Sequence, residues 1–149
     1  MEKKHEYQTS VTWSDALGGR AESPGLPSLT TAPPLEFGGP GGNWSPEHLF
    51  LSSANTCVLW TFVAMARISQ LEIADWRSNA TGTVERLEGQ GWMFTGIVIE
   101  VDLTVVKASD TGRAERLLHK AEQNCLISKS MKTPVKLEAR VRSTQGVGE

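Results

Sequence analysis

The sequence predicts an α+β fold in which antiparallel sheets pack on two central helices, and three features carry that expectation. Two runs, Ala74 to Leu87 and Trp92 to Val106, alternate with strand-type period. A long apolar segment follows the helix-start signal Ser45-Pro46-Glu47. A second segment, Gly112 to about Gln123, spaces its apolar residues for one helical face.

The elements are read in chain order as follows. His5 to Ser14 suggests a strand, and Asp15 to Gly19 supplies turn residues before the chain resumes at Arg20, which predicts a hairpin. Ser28 to Leu35 is a short strand that Pro33 and Pro34 confine to an edge or end. Gly38 to Asn43 is a flexible connector, since it lacks the Lys-Ser/Thr ending of a phosphate-binding loop. The helix from Ser45 should reach about Ser69. Its apolar residues, among them Leu49, Cys57, Val58, Trp60, Phe62 and Met65, point in nearly every direction, so burial on most sides is expected. In the later hairpin, Ile97, Ile99, Val101 and Leu103 share one face, with the linker Glu88 to Gly91 between the strands. The second helix keeps Cys125 in phase with Leu118 and Ala121, and Val135 to Val141 alternates as a closing strand.

Composition narrows the function classes. At 149 residues, a single domain spanning 1–149 is expected. With 15 basic and 17 acidic side chains, net charge −2, there is no footprint for nucleic acid or for polybasic membrane docking. The opening MEKKHEYQ has no apolar stretch behind it, and no run approaches ~18 uninterrupted apolar residues, so a soluble cytoplasmic protein is expected. The two cysteines are too few for a disulfide scaffold, and His5, His48 and His119 are too scattered to suggest zinc. Metal chemistry is therefore disfavoured on this spacing.

Taken alone, Cys57 and Cys125 each read as small apolar packing residues. Both, however, point into a core from different helices, so approach and a reversible disulfide are geometrically open. A cysteine or serine hydrolase is disfavoured because no motif places a histidine beside Cys57.

The chain resembles the OsmC/Ohr organic hydroperoxide reductases in Gly18-Gly19-Arg20, in the block GGPGGNWSPEHLF from Gly38 to Phe50, and in the spacing from Glu47 to Cys57 and on to Cys125. The Gly18 to Arg20 and Asn43 to Cys57 elements match the OsmC-like branch at least as well as the Ohr branch. The resemblance implies an intertwined homodimer, a peroxidatic cysteine at Cys57, a resolving cysteine at Cys125, and assistance from Arg20 and Glu47. It also implies organic hydroperoxide as substrate and an external dithiol reductant, lipoyl-type in the Ohr branch. It departs after the second cysteine, where family members commonly carry proline and this chain has Leu126 and Ile127.

The implied chemistry suits these residue types. A free thiol is only about 3 % ionised at pH 7, and thiolate is the attacking form. Arginine stays charged and can hydrogen-bond a peroxide oxygen while O–O cleavage builds negative charge, and glutamate can hold the guanidinium by paired hydrogen bonds. Along one helix, Glu47 and Cys57 would stand roughly 15 Å apart. An arginine must span that gap, the helix must break, or Glu47 must come from a partner subunit, and the last is favoured. Trp44, Phe50, Trp60 and Met65 are candidate pocket walls. The rival reading is an OsmC-fold small-molecule or lipid-binding protein in which both cysteines merely pack.

Overall fold

The computed structural model describes residues 3–15 and 18–145, and the chain divides into two units, 1–50 and 51–149, described separately below. In the first, β1 (Ser10–Asp15), β2 (Gly18–Glu22) and β3 (Leu29–Thr31) form an antiparallel sheet in that order. The hairpin forms as expected, but β1 starts at Ser10 rather than His5, and β2 starts at Gly18 rather than Arg20. Ala16 and Leu17, part of the expected turn, lie outside the described residues. A 3-10 turn (Leu35–Phe37) follows the prolines, and the glycine-rich connector leads to Ser45.

Ser45 starts α1 (Pro46–Ile68) as a cap. Its Oγ accepts the His48 backbone N–H at 3.2 Å and lies 2.6 Å from His48 Nδ1, so the fully buried hydroxyl closes the first turn. The helix is unbroken from Pro46 to Ile68. Its burial corrects the sequence expectation. Within one chain only Ala54, Val58, Phe62 and Ala66, spaced four apart, are buried, and the other faces are left partly or fully exposed. By length and composition α1 could cross a membrane, although Ser52, Ser53, Asn55 and Thr56 interrupt its apolar run, and 22 % of its most apolar stretch is buried.

The second unit holds β4 (Ile73–Leu87), β5 (Gly91–Val105), a 3-10 turn (Ala108–Asp110), α2 (Thr111–Gln123), α3 (Leu126–Ser130) and β6 (Val135–Ser143). β4 and β5 form the expected antiparallel hairpin. β6 pairs parallel to β5, which makes this sheet mixed rather than antiparallel. The reason is topological: α2 and α3 stand between the two strands, and a helical crossover returns the chain in the same direction. Ile97, Ile99, Val101, Leu103 and Val105 of β5 point inward and are buried with Ala114, Leu118 and Ala121 of α2, which packs along β6. The opposite face of β5 carries Glu100 and Asp102, and Asp102 pairs with Arg140 across the sheet at 3.0 Å.

Two contacts seat α1 on β4, and a hydrogen bond within β4 supports them. The Phe62 and Trp76 rings lie 5.4 Å apart, Ser78 Oγ donates to Asn55 Oδ1 at 2.7 Å, and Trp76 Nε1 donates to that same Ser78 oxygen at 3.0 Å. Gly82 permits close approach next to them, since a Cβ there would lie 2.5 Å from Leu51 Cδ2 and 2.7 Å from the Phe94 ring.

Candidate active site

Cys57 sits mid-helix on α1, half-buried, and Cys125 is fully buried. The sequence reading puts Cys125 near the end of α2. In the structure it lies two residues beyond Gln123, as the N-cap of the short helix α3, with extended backbone (φ −63, ψ 115). Like Leu118 and Ala121, it is nonetheless fully buried, although it no longer shares their helix.

The two thiols are in hydrogen-bonding contact, and further donors converge on Cys57: the backbone N–H groups of Ile127 and Leu126 and, at 3.8 Å from the sulfur, the Thr61 hydroxyl. Burial by itself pushes the Cys57 thiol up. The Cys125 thiol, the Ile127 N–H, the Thr61 hydroxyl and the Leu126 N–H together outweigh it and hold Cys57 below the ordinary thiol value. Cys125 moves the other way, raised by burial and by its hydrogen bond to Cys57. The pair is therefore polarised, with the exposed member favoured as thiolate and the enclosed member kept as a proton-bearing thiol. Thr61 is four residues from Cys57 and could have been found by helical spacing. The Leu126 and Ile127 donors depend on α3, which the sequence reading does not contain.

Leu126 therefore has a testable role. Its position opens α3, where proline is sterically welcome, and the extended backbone of Cys125 suits a residue before proline. Leu126→Pro removes one N–H donor to Cys57 and should raise its pKa. Alkylation of Cys57 by iodoacetamide near pH 7 should then slow about two- to tenfold, the size of one hydrogen bond to a charged group. An unchanged pH midpoint would show that the Leu126 N–H contributes nothing.

Cys57 opens onto a groove of about 800 Å³ between α1 and α2, walled by Trp60, Met65, Ile68, Leu117 and Leu126. Trp60, Ile68 and Leu126 are exposed in the single chain. Of the four expected pocket walls, Trp60 and Met65 line this groove, Trp44 lines a separate cleft beside His48 in the first unit, and Phe50 belongs to the first unit.

Arg20 and Glu47 also lie in the first unit, and the structure does not pair them. Arg20 Nε bonds Glu22 Oε1 at 2.8 Å on the same face of β2, with its side chain 61 % exposed. Glu47 lines a cleft of about 430 Å³ next to Gly18 and Gly19, and its Oε2 is buried without a hydrogen-bond partner among the described residues. Such an orphaned carboxylate oxygen is costly unless a cation or donor reaches it. Among the described residues there is no cluster of three or more metal-ligating side chains.

A family model described as OsmC-like protein matches residues 39–140, taking in Glu47, Cys57 and Cys125. The chain belongs to the OsmC-like protein family. Its OsmC-like sequence is 28 % identical over 144 residues to the uncharacterized protein YmaD of Bacillus subtilis, covering 90 % of this chain and 91 % of that one. In structure it is similar to an OsmC-like protein of unknown function from Vibrio cholerae, with TM-score 0.85 and 19 % identity over 92 % of this chain and all of the other. It is also similar to the organic hydroperoxide resistance protein OhrB of Bacillus subtilis, with TM-score 0.66 and 23 % identity over 90 % of this chain and 98 % of the other. The Legionella pneumophila organic hydroperoxide resistance protein OsmC gives TM-score 0.69 and 22 % identity over 95 % of this chain and all of the other. At these identities the likeness establishes the OsmC fold.

Proposed function

We propose that this OsmC-like protein is a thiol peroxidase that reduces organic hydroperoxides at Cys57. The observation that carries the reading is the polarised pair, a half-exposed Cys57 with depressed pKa in hydrogen-bonding contact with a buried, proton-bearing Cys125. In the first step the Cys57 thiolate attacks the terminal oxygen of ROOH, the O–O bond breaks, and the alkoxide takes a proton to leave as alcohol. Cys57 is now a sulfenic acid. The Cys125 sulfur displaces its hydroxyl as water to form the Cys57–Cys125 disulfide, and an external dithiol, such as a lipoyl-type one, reduces that bond and is itself oxidised to a disulfide. No cofactor or metal enters this balance. Two of the fold neighbours are named as organic hydroperoxide resistance proteins, which supports the substrate class.

Arg20 and Glu47 are assigned the supporting role, a guanidinium held by carboxylate and directed at the peroxide. The unpartnered Glu47 oxygen supports the need for such a cation. The unbroken α1 removes the broken-helix route from Glu47 to Cys57. A homodimer in which one subunit supplies Glu47 to its partner remains the favoured arrangement, and a face of α1 bearing Leu59 and Val63, outside the groove and not buried in the single chain, is available to a second copy.

The open apolar groove also favours a second reading, a small-molecule or lipid-binding protein whose cysteines only pack. One titration separates the two. Reduced protein treated with equimolar cumene hydroperoxide should lose both thiols, seen by mass, as the alcohol appears. Two intact thiols would overturn the peroxidase reading. Sedimentation at micromolar concentration should show a dimer, and a folded monomer would remove the shared-site arrangement.

A further inference from the structure

One element of the Cys57 groove has no part in the peroxidase cycle. On α1, Cys57, Trp60, Thr61, Ala64, Met65 and Ile68 line it at helical spacing, a stripe about 16 Å long. On α2 the lining residues are Leu117, Lys120 and Asn124, again on one helical face. Among the described residues lining the groove, Lys120 alone carries a permanent charge. Its helical neighbours three and four positions away are Arg116, Leu117, Gln123 and Asn124, none of them acidic, and the ion pairs among the described residues involve other cations. The groups that hold Cys57 low are neutral donors, so the lysine charge is not engaged by the thiolate either.

An unpaired ammonium on the rim of an apolar groove matches the two ends of an amphipathic anion. We propose that Lys120 is a specificity-determining residue, selecting hydroperoxides that carry a carboxylate head group over neutral ones of the same length. The alkyl chain lies along Trp60, Met65, Ile68 and Leu117, and the carboxylate meets Lys120. Lys120 stands on α2 and Cys57 on α1, so the head group and the attacked oxygen are held by different walls of the groove. Esters and small aryl hydroperoxides satisfy only the apolar walls. A lysine in the last turn of α2 also suits the helix dipole, but that effect is the same for every substrate.

The inference rests on the peroxidase reading for its chemistry, so its test has an arm that needs no turnover. In the full chain, kcat/KM is measured for a long-chain fatty-acid hydroperoxide and for its methyl ester with a small dithiol as reductant. The acid-to-ester ratio should be roughly two- to fivefold at low salt, the range of an exposed ion pair. It should fall as salt rises, approach unity in Lys120→Gln, drop below unity in Lys120→Glu, and survive in Lys120→Arg. In parallel, binding of a saturated fatty acid and its methyl ester to the Cys57→Ser chain is followed by tryptophan fluorescence, and the same pattern is expected. If no hydroperoxide turns over, the peroxidase reading fails while the binding ratios still decide Lys120. A wild-type ratio near unity, or one that Lys120→Gln and Lys120→Glu leave unchanged, overturns the proposal.

Discussion

Cys57→Ser should reduce hydroperoxide turnover by about 10³-fold or more, because a serine hydroxyl at neutral pH neither ionises nor accepts the peroxide oxygen. Cys125→Ser should behave differently. It leaves the attacking sulfur in place, so one equivalent of hydroperoxide should be consumed, after which Cys57 persists one oxygen heavier as a sulfenic acid that a dimedone probe captures. Without a resolving thiol no internal disulfide forms, and multiple turnover with a dithiol should slow. The pH dependence of this first step has a definite sign. Because the donors around Cys57 depress its pKa, its thiolate survives to lower pH than an ordinary thiol, and the rate should fall only as pH drops through that lowered value. Cys125→Ala removes the first of those donors and should shift the fall to higher pH, whereas a serine hydroxyl retains a donor. Stopped-flow oxidation across pH reads both effects. Equal profiles for the Ser and Ala variants would remove Cys125 from the activation of Cys57.

Phe62→Ala should destabilise the protein by about 3 to 5 kcal/mol, the cost of emptying a buried aromatic site. Phe62 is wholly buried, in a stripe whose other members are Ala54, Val58 and Ala66, so no neighbour on α1 is large enough to fill the space. Its ring packs on Trp76, and with the Asn55–Ser78 hydrogen bond it fixes α1, and hence Cys57, on β4. For a chain of this length the midpoint of thermal unfolding should fall by about 6 to 20 °C. Phe62→Leu, which keeps most of the volume, should cost less than half as much. Calorimetry at matched protein concentration tests both, since association would add to apparent stability. A loss below about 1 kcal/mol for Phe62→Ala would mean that α1 is held chiefly by other contacts.

Much of the fold was legible because its signals are local. Ser45-Pro46-Glu47 announces a helix through capping and ring geometry, and the alternation of Ile97, Ile99, Val101 and Leu103 places one face of β5 inward whatever surrounds it. The parallel pairing of β6 was not legible, since alternation gives a strand its faces but not its direction. Burial of α1 was misjudged for a related reason: apolar residues all round a helix state that its faces avoid water, not which of them one chain covers.

The sequence by itself determined that Cys57 sits within one apolar helical segment and Cys125 close to the end of a second, and the family match over residues 39–140 takes in both cysteines and Glu47 but not Arg20. Only the tertiary structure decided how the thiols differ. The pKa of Cys57 depends on N–H groups of Leu126 and Ile127 that are about seventy positions away in the chain, and they point at the sulfur only because α3 begins immediately after Cys125. Hydrogen-bond direction and desolvation are properties of packed neighbours, and no spacing rule along the chain encodes them. The same holds for Lys120, an ordinary helical lysine in the sequence that becomes the one charged side chain among the described residues lining the groove once α2 lies beside α1.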